Sequence, residues 1–142
     1  MNSKSEVIEQ ICYQIEDCTK VIDLVEGIDS AKELYSLISC YNFDDGYKVP
    51  MAILNHPLCE LAHAIKIYWL LDADRYYKNN SELDELERDD YKFCKFLEKR
   101  IKEGFYKVKE ISHDENFDRV KLYYLKKSSL PSIFYQPVVA KD

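Results

Sequence analysis

The segment His56-Pro-Leu-Cys59-Glu-Leu-Ala-His63 has the residue types of a metal site. Imidazole and thiolate are the ligands zinc prefers, and Cys59 and His63, four residues apart, fall on one face of a helix. A closed structural zinc site needs four ligands, and the sequence places no second His/Cys pair nearby. Pro57 also turns His56 away from the helix that follows. Cys59 therefore reads as a core residue, and no metal or other cofactor is expected. A Cys–His nucleophile pair can be drawn from five thiols and three histidines, but no local context activates any of the thiols. With three glycines in the chain there is no phosphate-cradling loop. An enzyme is the weaker class, and no catalytic residues are assigned.

Asp44-Asp45-Gly46 is a second candidate. Paired carboxylates bind cations or exchange protons. The plainer reading is a turn in which an Asp accepts local backbone N–H groups and Gly46 takes a positive φ. The alternating oxygen ligands and closing Glu of a calcium loop are missing.

The third candidate is a charge run, Glu82, Asp84, Glu85, Glu87, Asp89 and Asp90 against Arg88, with Tyr91 at its end. Such a run solvates a helix and favours its N-terminus. It also suits a surface that occupies the arginines and lysines of a basic protein. Twelve tyrosines give aromatic anchors for an interface.

These residues sit on elements that the hydrophobic periods outline. Ile8, Ile11, Ile15, Cys18 and Ile22 recur at steps of three and four, a helical stripe that ends at Gly27. Ser30 and Glu33 fit a capping box, opening a helix with Leu34, Leu37, Ile38 and Tyr41 on one face. Val49, before a proline, is expected to be extended, and Pro50 to open a short helix through Leu54. Leu58 to Asp74 is apolar on nearly every side except His63 and Lys66, so it is expected at the centre of the fold with Ile65 and Trp69 inside. Ser81, with Asp84 three residues on, caps a long helix carrying Leu83, Leu86, Phe93, Leu97 and Ile101. Gly104 stops it after Lys99, Arg100 and Lys102. Beyond Gly104, Tyr106-Lys-Val108 and Val120-Lys-Leu122-Tyr-Tyr124 alternate around a polar turn, which predicts a β-hairpin. A helix from Phe117 to Lys127 is the alternative, since Phe117, Val120 and Tyr124 also fit helical spacing.

The fold class is therefore mainly α, a compact multi-helix domain spanning residues 1–142 around a central apolar helix, with a short C-terminal hairpin. At 142 residues and 46% hydrophobic content the chain is the size of one domain. The polar opening predicts no secretory leader, and the scattered, odd number of cysteines predicts reduced thiols, which suits the cytosol and the nucleus equally. The apolar stretch near Ile65 is too short for a membrane span. A net charge of -6 argues against nucleic-acid binding and for a basic protein partner.

From Tyr41 to Asp74 the chain resembles a bacterial family known only as a domain of unknown function. The resemblance rests on Tyr41, Asn42, Phe43, Asp44, Asp45 and Gly46, then Pro50, Asn55, Pro57 and Cys59, and on Trp69 in an apolar helix. The later Leu130-Pro131 segment resembles the family's closing stretch. His63 and Lys66 depart from it, standing where small or apolar residues are expected. The resemblance implies a bacterial cytoplasmic protein and brings no activity.

Two functions fit these residues. One is a protein-binding inhibitor, an immunity protein that neutralises a cognate bacterial toxin, a nuclease, through the acidic run and Tyr91. The other is a small ligand- or metal-binding domain or enzyme centred on Asp44, Asp45 and His56.

Overall fold

The computed structural model describes residues 18–41, 46–71 and 85–140. The expected stripe from Ile8 to Ile15, the Asn42–Asp45 turn and the Ser81 cap lie outside them. The fold is mainly helical.

Helix α1 (Cys18–Glu26) buries Val21 and Val25, four residues apart, and Ile28 continues the same face beyond its end. It stops at Gly27, whose N–H still reaches the Asp23 carbonyl. Ser30 then opens α2 (Ala31–Cys40) with extended backbone and a hydroxyl that accepts the Glu33 N–H at 3.4 Å, as the capping pattern requires. Leu34, Leu37 and Ile38 form the buried face of α2.

Gly46 adopts the positive φ (+88°) expected of it and leads into α3 (Lys48–Leu54). Here the expectation for Val49 fails: it is helical and buried, and Pro50 stands third in the helix rather than first. The first turn of a helix has no carbonyl of its own to bond, so the missing N–H of Pro50 costs nothing there. The carbonyl that its ring would meet lies before the helix.

Helix α4 (Leu61–Leu70) is shorter than the apolar stretch that predicted it, but its central position holds. It packs against α2, α3 and α5 (Glu85–Lys102), while α1 lies on α3. Leu61, Ala62, His63, Ala64, Ile65, Ile67 and Tyr68 are buried. Trp69 is only half-buried, and its indole N–H donates to the Phe134 carbonyl at 2.6 Å. Helix α5 buries Phe93, Cys94, Leu97 and Ile101. It ends as a left-handed Gly104 (φ +74°) sends its N–H to Ile101 and the Phe105 N–H to Arg100, a paired bond pattern that satisfies the last carbonyls.

The C-terminal hairpin is not formed. Residues 119–127 are helix α6 (Arg119–Lys127), capped by Asp118, whose carboxylate accepts the Lys121 N–H at 2.7 Å. Alternation and helical spacing both fit Val120 to Tyr124. The cap decides between them, because Asp118 gives the helix a start that a strand would not use. The only antiparallel pairing among the described residues is an isolated bridge between His113 and Val138, followed by nothing longer. A single turn of tighter helix (Ser132–Phe134) puts Phe134 into the core. Among the described residues, no helix is long and apolar enough to cross a membrane.

Candidate functional site

The helices bring His56, Cys59, Glu60 and His63 into the turn that joins α3 to α4, but not as a metal centre. His63 is fully buried. Its Nδ1 accepts the Glu60 N–H at 2.9 Å, so Nε2 carries the proton and donates it to the Ala31 carbonyl at 2.8 Å. Both nitrogens are occupied, and burial lowers the pKa of the ring, keeping it neutral. His56 is 8% exposed, and its Nδ1 accepts the Leu58 N–H at 3.0 Å, closing the turn over Pro57. Its Nε2 is buried without a partner. Burial pushes the Cys59 thiol up to about 12, against the opposing pull of Arg100, so it is neither thiolate nucleophile nor ready ligand. Among the described residues no three His, Cys, Asp or Glu side chains group to hold a metal.

Glu60 does what the sequence reading missed. It is 2% exposed, precedes the first residue of α4, and its Oε1 accepts the Glu110 and Ile111 N–H groups at 2.7 and 2.8 Å. A buried carboxylate is stable there because two backbone donors face it. The Leu61 N–H adds a longer contact to the Val108 carbonyl. Across the same junction, the Arg100 guanidinium lies over Phe96 and Phe105 and donates to the Tyr106 hydroxyl. Tyr106 in turn donates to the Leu54 carbonyl at 3.2 Å. These contacts fasten residues 105–111 to the α3–α4 turn.

A second polar cluster was also missed. The Tyr35 hydroxyl and His113 Nδ1 share a hydrogen bond of 2.5 Å, and Glu115 Oε1 lies 3.4 Å from Nε2, close enough for attraction but not a well-formed hydrogen bond. The Lys66 ammonium sits 4.1 Å from the Tyr35 ring centre and donates to Ser39 Oγ. Hydroxyl, imidazole and carboxylate stand in the order of a nucleophile, a base and its orienting group. Burial, aided by Glu115, raises the Tyr35 pKa, so the phenol stays protonated. Burial lowers that of His113, which Glu115 only partly offsets. The cluster acts as a clamp: it joins α2 to a segment 78 residues away, and the His113–Val138 bridge extends it to the C-terminal segment. Residue type alone gave no signal for it, since nothing local pairs Tyr35 with His113.

Of the acidic run, Glu82 and Asp84 lie outside the described residues. Glu85, Glu87, Asp89 and Asp90 open α5, with Asp89 exposed and Asp90 partly so. Tyr91 is half-buried against the core, with the Lys95 ammonium 5.5 Å from its ring. Asp44 and Asp45 lie outside the described residues. Tyr41 follows α2 and is half-buried, Pro50 is buried in α3, Asn55 follows α3 and is exposed, and Pro57 is exposed.

Residues 29–102 match the model of a family described as a domain of unknown function, DUF4274. The chain belongs to that family. Its matched segment runs from the residue before the α2 cap to the last residue of α5, so the α3–α4 turn and the opening of α5 fall within it. The Leu130-Pro131 stretch, expected to resemble the family's closing segment, lies beyond the match. No curated protein and no solved structure matches the chain.

Proposed function

We propose that this chain is a protein-binding inhibitor, an immunity protein that neutralises a cognate bacterial toxin, a nuclease, by direct contact. The supporting observation is the acidic opening of α5. Four carboxylates against Arg88 occupy its first six residues, and Asp89 faces solvent. A nuclease is basic where it holds phosphate, and a row of carboxylates on a rigid helix competes for those cations. The attraction speeds encounter, and Tyr91, rooted in the core, supplies an aromatic anchor that slows release. In the α3–α4 turn, His63, Glu60 and Nδ1 of His56 are bonded to backbone groups, which favours the acidic helix over this turn as the working surface.

The test is capture of partners on the tagged full-length protein from its own lysate, with each captured protein then assayed for nuclease activity. Recovery of a basic protein whose nuclease activity falls when this chain is added supports the reading. Recovery of no protein, or of one whose activity is indifferent to the chain, overturns it.

A further inference from the structure

Beyond the matched family segment, a cleft of about 520 Å³ opens between the 114–117 loop, α6 and residues 132–137. That volume lies in the range of small-molecule sites. Its apolar lining comes from Phe117, Leu122 and Tyr135, all half-buried, and from Pro137. Phe117 rests edge-on against Trp69, ring centres 4.8 Å apart, so this part of the lining is held against the central helix. Two opposite charges on different elements also line it, Asp114 on the loop and Lys126 in the last turn of α6.

Both charges are available. One oxygen of Asp114 accepts the Asn116 N–H at 2.8 Å, which fixes the carboxylate and leaves its second oxygen. Lys126 is exposed and joins no ion pair among the described residues, in a chain whose net charge is -6. Asn116, Ser132 and Gln136 supply hydrogen-bonding groups around the rim.

We infer that this cleft binds a small zwitterion with an apolar body, of the class of an aromatic α-amino acid. The carboxylate of the ligand meets Lys126, its ammonium meets Asp114, and its ring covers Phe117, Leu122 and Pro137. An anion alone leaves Asp114 repelling it, and a cation alone leaves Lys126 doing so. A purely apolar molecule leaves both charges half-covered and unpaired. The class follows from one charge of each sign in a cleft that also has an apolar lining.

The chain carries its own reporter, since Trp69 is its single tryptophan and touches Phe117 of the cleft lining. The experiment titrates the full-length protein with L-phenylalanine, with phenylalaninamide, which lacks the carboxylate, and with N-acetylphenylalanine, which lacks the ammonium. Tryptophan emission is the readout. The expected result is a saturable change with L-phenylalanine and binding weaker by up to about fivefold with either analogue, the scale of one exposed ion pair. Lys126→Met and Asp114→Asn, both at exposed positions, are expected to weaken L-phenylalanine by a similar factor with unchanged melting temperature. No saturable response to the amino acid overturns the inference, as does equal binding of either analogue or equal binding by both variants.

Discussion

Between Leu54 and Ala64 the polar side chains His56, Glu60 and His63 turn inward, whereas between Asp114 and Pro137 the side chains of Asp114, Asn116, Lys126 and Gln136 face solvent. In the first region the backbone is the partner: Glu60 accepts two N–H groups, His63 bridges a donor and an acceptor, and His56 closes a turn. In the second, the hydrogen-bonding atoms line a cleft, and large apolar groups are left in water. Val120 is 65% exposed and Tyr124 63%. The first region contains the residue types that resemble a site, yet Glu60, both nitrogens of His63 and Nδ1 of His56 are bonded to the backbone as framework. Composition and spacing identify groups able to do chemistry. Whether their lone pairs and protons are already engaged decides if they do any.

The sharpest way to break this contrast is Glu60→Ala. It removes the buried carboxylate to which two part-buried N–H groups donate, and a hydrogen bond to a charged group contributes about 1.5–3 kcal/mol. Chemical denaturation is expected to show that loss, and Glu60→Gln, which keeps an acceptor oxygen, to recover part of it. Unchanged stability in Glu60→Ala would move Glu60 from framework to candidate site. Next in size is Ile65→Ala in the central helix, where the lost burial and the cavity together cost about 2–5 kcal/mol. A denaturation midpoint that does not move would remove α4 from the core.

Smaller, and able to rank the two regions, is the response to acid. Burial lowers the pKa of both His63 and His113, so above the unfolded value of about 6.5 both states hold neutral rings and the stability is fully present. As pH falls below that value the unfolded chain takes up protons that the folded rings refuse, and stability is lost down through their lower folded pKa values. The melting temperature is expected to be lower at pH 5 than at pH 7. Hydrogen exchange is expected to open the paired amides of His113 and Val138 before those of α4, because His113 retains access to solvent and His63 has none. A melting temperature that rises on acidification would contradict the neutral, buried state of both rings.

The sequence outlined what local chemistry controls. The Ser30 cap, the Gly104 stop and its basic last turn, the positive φ of Gly46 and the burial of Ile65 were all legible, because each depends on residues a few positions apart. The C-terminal segment misled, since Val120 to Tyr124 satisfy both periods and the deciding residue, Asp118, lay inside what read as a turn. Val49 misled because its burial in α3 outweighs the local steric preference of a residue before proline for extended backbone. The Tyr35–His113 clamp and the Glu60 anchor were not legible. Each joins residues more than forty positions apart, and only the packing of α2 and α4 against the C-terminal segment brings them together.

The proposed role of α5 is tested most directly by reversing its charge. Once a partner is in hand, binding of the wild-type chain and of the Glu85→Lys, Asp89→Lys double variant is measured by calorimetry at low and at high salt. The expected result is weaker binding by the variant, with a larger gap at low salt, because exposed charges are screened beyond about 10 Å at 0.1 M. Folding is expected to be nearly unaffected, since each reversal at the helix start costs about 0.3–1 kcal/mol. An affinity equal to wild type at both salt concentrations would contradict the account and leave the acidic opening of α5 as a solvated helix end.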